Sequence, residues 1–155
     1  MPKIGSTQQL VGQMQQEVNF AINQTAGYQK RPRALVLEFM GKEPTVYGEK
    51  SLAGNIVKEL HGELLAEKQR SIGLEQVVEL DPDVIFIVVT EFNYGREQDM
   101  LDRVTQHKAL KHLRCVQQGR VVALPLYAIY SSGVRTYDGI KIIAAGMYPD
   151  LYKEK

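Results

Sequence analysis

The sequence predicts an α/β fold, a three-layer lobe in which a mainly parallel sheet is covered by helices on both sides. Three observations carry that prediction. The apolar runs at residues 34–37, 84–89 and 121–124 lack polar alternation, the pattern of strands buried on both faces. Stretches with apolar residues at three- and four-residue steps alternate with those runs, as βαβ units require. The chain has 155 residues, 44% of them hydrophobic and 24% charged. A chain of that size buries roughly 70% of its unfolded surface and needs neither disulfide nor metal to fold.

Taken in order, residues 6–27 read as one long helix. Val11, Met14, Val18 and Ala21 with Ile22 form its apolar stripe, widened by Leu10, and Gln8, Gln9, Gln13, Gln16, Asn19 and Asn23 form a polar, nearly uncharged face. Gly27 is placed to stop it, and Pro32 in the basic connector 29–33 bars continuation. The first strand follows at 34–37. Residues 51–60 form an amphipathic helix with Leu52, Ile56 and Leu60 on one side and Ser51 as N-cap. Residues 74–80 form a short helix stopped by Asp81-Pro82. Residues 84–89 are six consecutive apolar side chains, mostly β-branched, suited to the centre of the sheet. A helix is expected over 98–113, a third strand at 121–124 after a turn at Gly119, and a closing helix over 133–146.

Charge and cysteine content exclude several classes of function. The net charge is +1, too balanced for an electrostatically driven nucleic-acid or anionic-membrane binder. Cys115 is alone, which excludes a disulfide framework or a cysteine metal knuckle, and it reads as a small buried apolar residue. His61, His107 and His112 lack metal-ligand spacing. The first thirty residues contain no apolar stretch of the kind a signal peptide or membrane span needs.

Ligands of open parallel sheets bind beyond the carboxyl ends of the strands. Of eight tyrosines and four phenylalanines, seven fall on that edge: Phe39, Tyr47, Phe92, Tyr94, Tyr127, Tyr130 and Tyr137. With Glu38, Glu91 and Arg135 they compose either a cleft for a sizeable, partly apolar ligand or a set of rings capping the core. Arg135, near the start of the last helix, suits an anionic ligand group or a salt bridge to Glu38, Glu91 or Asp138. Catalytic signals are weak. Tyr137-x-x-x-Lys141 matches the tyrosine–lysine pair of short-chain dehydrogenases, but only in two letters and without a glycine-rich phosphate loop at the start of the chain. Nucleophile-elbow and Walker motifs are missing, and Ser131-Ser132 has no histidine near it in sequence. No enzyme activity, cofactor or metal is expected.

Four segments resemble one family. They are Arg33-Ala-Leu-Val-Leu-Glu, Gly48-Glu-Lys-Ser-Leu-Ala-Gly-Asn-Ile-Val-Lys-Glu-Leu-His-Gly-Glu, Ser71-Ile-Gly-Leu-Glu-Gln-Val-Val-Glu-Leu-Asp-Pro-Asp-Val-Ile-Phe and Gly119-Arg-Val-Val-Ala-Leu-Pro. They are similar to the C-terminal lobe of the substrate-binding proteins of ABC importers for iron complexes (ferric siderophores), haem and cobalamin. The third is the most specific. The resemblance covers about residues 30–152. It implies a backbone helix joining two lobes at residues 1–28 and a C-terminal α/β lobe at 29–155, with no counterpart of the other lobe.

It further implies a metal-chelate ligand held by Glu38, Phe39, Tyr47, Glu91, Phe92, Tyr94, Tyr127, Tyr130, Arg135 and Tyr137. A membrane permease would be the partner of the two-lobed protein, and the setting extracytoplasmic although this chain shows no export signal. The glutamate with which the family docks on its permease aligns with Asn55, leaving Glu49 and Glu59 as the acidic residues available. The alternative is a stand-alone half-protein that dimerises through the apolar stripe of its first helix.

Overall fold

The computed structural model describes residues 16, 19–27, 31–39, 43–130 and 134–149, without the side chains of 130 and 134–136. Residues 19–26 are helical (α1). There follow β1 Arg33–Glu38, β2 Thr45–Val46, α2 Leu52–Glu59, β3 Glu63–Leu64, α3 Leu74–Leu80, β4 Val84–Val89, a 3-10 turn Glu91–Asn93, α4 Glu97–Thr105, α5 Arg114–Gln117, β5 Val121–Pro125, α6 Tyr127–Tyr130 and α7 Val134–Met147. Of the long helix expected over 6–27, the described residues show helix at Gln16 and over 19–26 and a turn at Gly27; its other residues, with Leu10, Val11, Met14 and Val18 of the stripe, lie outside the described residues.

The sheet runs β2-β1-β4-β5, with β3 also paired to β1. The β1–β3, β1–β4 and β4–β5 pairs are parallel, and β2 alone runs antiparallel, through Leu37–Val46 and Glu38–Thr45. Because β4 occupies one edge of β1, the two short strands share the other, end to end. The carbonyls of Pro32, Ala34 and Val36 there accept from the backbone N–H groups of Glu63, Leu65 and Tyr47 at 2.8, 2.9 and 2.9 Å.

Period-two side-chain alternation divides the strands between two cores. Ala34, Val36, Val84, Phe86, Val88 and Leu124 pack with Ala21 of α1, Ala53, Ile56 and Val57 of α2, and Ile143, Ala144 and Met147 of α7. Leu35, Leu37, Ile85, Ile87, Val89 and Val121 pack with Val77 of α3, Met100 and Val104 of α4, Leu110, Leu113 and Cys115. The three layers follow directly, and the unbroken apolar runs are explained by burial on both faces.

Local chemistry sets the helix ends. Ser51 caps α2, its Oγ accepting from the N–H of Gly54 at 3.0 Å. Asp81 ends α3 in the left-handed region, φ 46°, where the following Pro82 disfavours helix. Gly54 allows close approach, since a Cβ there would run into the Gly48 carbonyl. The helix expected over 98–113 stops earlier, at Thr105. His107 is the reason: its Nδ1 accepts from the backbone N–H of Ala109 at 3.0 Å, and its carbonyl takes the N–H groups of both Leu110 and Lys111. That local turn competes with helix continuation and drops Leu110 and Leu113 into the core.

A polar clamp closes the amino ends of the strands. Asp83, 5% exposed, accepts from the N–H of Arg33 at 2.8 Å and from Arg114 Nη2 at 2.7 Å. On the α2 side, Tyr148 donates to the Leu60 carbonyl at 2.6 Å, and His61 Nε2 pairs with the Ile22 carbonyl at 3.1 Å, tying α1 to α2. Burial pushes the Cys115 thiol up to about 11, so it is an inert core side chain.

Candidate functional site

Connectivity creates the site. From β1 the chain passes through α2 to β3 on one side, then through α3 to β4 on the other, so the connections leaving β1 and β4 diverge. A crevice opens where strand order reverses in this way. A depression of about 350 Å³ lies there. Val88 of β4, Met100 of α4 and Leu126 form its apolar part, with Glu38 and Phe39 from the end of β1 and Thr90, Glu91, Phe92 and Asn93 beyond β4.

The 3-10 turn shapes the β4 wall. The N–H of Asn93 donates to the Thr90 carbonyl at 2.9 Å, and that of Arg96 to the Asn93 carbonyl at 2.8 Å, reversing the chain through Gly95 at φ 88°. The Glu97 carboxylate accepts from the Gly95 N–H at 2.9 Å, which holds its pKa below the usual range. This tight loop pushes Phe92 into solvent, 86% exposed. Behind it, Tyr94 and Tyr127 meet edge to face, centroids 5.6 Å apart at 84°, and the Tyr94 hydroxyl accepts from the Tyr127 N–H at 3.0 Å. The loops after β4 and β5 are thereby locked together.

Glu38 is the buried acid of the site, 8% exposed. Tyr47, just past β2, donates its hydroxyl to Glu38 Oε1 at 2.6 Å. Burial, and then the Glu38 carboxylate, push the Tyr47 phenol well above its ordinary value. The antiparallel return of β2 beside β1 is what brings this pair together.

Of the residues the sequence points to, Glu38, Phe39, Tyr47, Glu91, Phe92, Tyr94 and Tyr127 are gathered at this one edge. Tyr137 lies along α7, where Lys141 Nζ sits 5.2 Å from its ring centroid. The side chains of Tyr130 and Arg135 lie outside the described residues. The salt bridge of Arg135 to Glu38, Glu91 or Asp138 therefore lies outside them as well, and among the described residues neither Glu38 nor Glu91 makes an ion pair. Met100 also lines the crevice, and nothing in the sequence marks it as more than a core side chain.

A larger cavity, about 750 Å³, runs along residues 45–51 and 67–70. Its acids are already engaged, since Lys58 lies 3.7 Å from Glu49 and 3.6 Å from Glu67. Tyr47 is part of its lining and ties it to the crevice through the hydrogen bond to Glu38. On the outer surface of α2, Asn55 is exposed with its amide on the Ser51 carbonyl at 3.0 Å, and Glu59 is exposed. Among the described residues no group of histidine, cysteine or acidic side chains could hold a metal ion, and no helix is long and apolar enough to cross a membrane.

Comparison with known proteins agrees with this architecture. A periplasmic binding protein from Veillonella parvula is 40% identical, with a TM-score of 0.85 over 94% of this chain and 46% of that one. An Fe3+-hydroxamate transport protein from Saccharomonospora viridis is 22% identical, with a TM-score of 0.72 over 89% of this chain and 48% of that one. IsdE from S. aureus, solved with heme, is 19% identical, with a TM-score of 0.65 over 93% of this chain and 57% of that one. The last two show the fold alone. The chain spans about half the length of these relatives. No curated protein matches it. The family model described as periplasmic binding protein matches residues 6–128, and the chain belongs to that family of substrate-binding proteins.

Proposed function

We propose that the chain is the C-terminal ligand-binding lobe of an extracytoplasmic ABC-importer receptor for an iron complex, haem or cobalamin. One observation carries the reading: Phe92 stands in solvent at the strand-order reversal, beside the Tyr94–Tyr127 pair and a crevice walled by Phe39. An exposed ring costs solvation and offers a flat apolar surface, which suits a planar or globular chelate. The relatives solved with heme or named for Fe3+-hydroxamate transport support the same ligand class. A depression of about 350 Å³ sits at the low end of ligand pockets, so it grips one face of such a molecule. A second lobe would supply the other face, and a permease would be met through the α2 surface at Asn55, with Glu59 and Glu49 as its acids.

The test is an NMR titration of the labelled chain with gallium siderophore complexes, zinc protoporphyrin and cobalamin. Progressive shifts at residues 38–39, 90–94 and 126–127 are expected with one of them. No shift with any sinks the reading. The exposed Phe20 on α1 favours a second reading, a half-protein that acts by dimerising through this helix. A strictly monomeric chain in light scattering would eliminate it.

A further inference from the structure

We infer that the crevice selects cationic or hydrogen-bond-donating chelates over polyanionic ones, with Glu38 as the specificity-determining residue; this rests on the binding-lobe reading above. The two charged side chains among the described residues of the crevice are both acids, Glu38 and Glu91. Among the described residues neither has a cation within ion-pair distance. Arg96 is taken by Asp99 at 3.3 Å, and Lys141 lies over the ring of Tyr137.

Glu38 carries the larger effect. It is 8% exposed, and its one hydrogen-bond donor, Tyr47, meets Oε1; Oε2 has no partner among the described residues. A carboxylate bonded through one oxygen, with the other open at the crevice, can still accept from a ligand donor. A ligand ammonium or amide N–H reaching it adds a charge-assisted hydrogen bond, whereas a ligand carboxylate or catecholate adds like-charge repulsion at close range. Tyr47 acts as a positioning residue, fixing the carboxylate at the rim of the crevice while leaving one oxygen available. Glu91, exposed on the facing loop, adds negative potential with less force because water screens it.

The test titrates the labelled chain with two gallium complexes, that of desferrioxamine B, a monocation, and a tris-catecholate, a trianion. The monocation should shift residues 38–39 and 90–94 with an affinity higher by about tenfold or more, the scale of one close charge contact in a partly desolvated site. Salt at about 0.5 M should compress that ratio. Glu38→Gln, which keeps an acceptor for Tyr47, should reduce it more than Glu91→Gln does. Equal or tighter binding of the trianion overturns the inference and leaves the binding-lobe reading standing. A ratio unchanged in a folded Glu38→Gln overturns the role of Glu38, and a ratio indifferent to salt overturns charge selection without any variant. If neither complex binds, and porphyrin and cobalamin also fail, reading and inference fall together.

Discussion

Removing the Tyr47 hydroxyl strips Glu38, 8% exposed, of its one donor among the described residues. A hydrogen bond to a charged group is worth about 1.5–3 kcal/mol, and the 2.6 Å O–H···O distance is that of a charge-assisted bond. Tyr47→Phe should therefore cost about 2 kcal/mol. For a domain of this size that lowers Tm by about 4–8 °C. Urea unfolding followed by circular dichroism measures the loss. A cycle with Glu38→Met isolates the pair, because in that background the hydroxyl has nothing to bond and Tyr47→Phe should be close to neutral. A coupling energy under about 0.5 kcal/mol at pH 7 would refute the claim that this bond holds the site together.

The same phenol makes a pH prediction. Its folded pKa lies above the unfolded value of 10.0, so the folded state keeps a proton that the unfolded chain has lost, and stability falls as pH rises from about 10. One proton bounds the slope at about 1.4 kcal/mol per pH unit, and partial exposure of Tyr47 makes it shallower; the extra slope should vanish in Tyr47→Phe, and parallel wild-type and variant curves would contradict it. Gly54→Ala should destabilise by about 1–3 kcal/mol in the same urea assay, because the new methyl meets the Gly48 carbonyl, which is backbone and cannot swing aside, as well as Leu64. Phe92→Ala should leave stability within about 0.5 kcal/mol yet weaken ligand binding by about tenfold or more, as loss of an aromatic anchor does; a large fall in Tm would show that the ring belongs to the core.

Much of this fold is legible in sequence because burial on both faces leaves a strong mark. Residues 84–89 could not be other than a central strand, and Asp81-Pro82 places the end of α3 to the residue. What stays hidden is short or conditional. Strands β2 and β3 are two residues each, below the length at which periodicity carries information. The early end of α4 depends on a histidine ring finding a backbone N–H, which spacing alone does not show. At the site, the aromatic edge is readable because strand ends and loop composition locate it. The Glu38–Tyr47 bond is not, since it depends on the antiparallel return of an unrecognised strand.

The tandem of β3 and β2 along β1 has a consequence for behaviour at high concentration. Exposed strand edges template pairing between molecules, and an edge as apolar as Ala34-Leu35-Val36-Leu37 would be a strong nucleus for amyloid-like growth. Every outward carbonyl at Pro32, Ala34 and Val36 is already consumed by an N–H of the same chain. Two strands too short to stand alone thus act as stoppers, and the most aggregation-prone segment on that side of the sheet is closed to strand addition while the lobe stays folded.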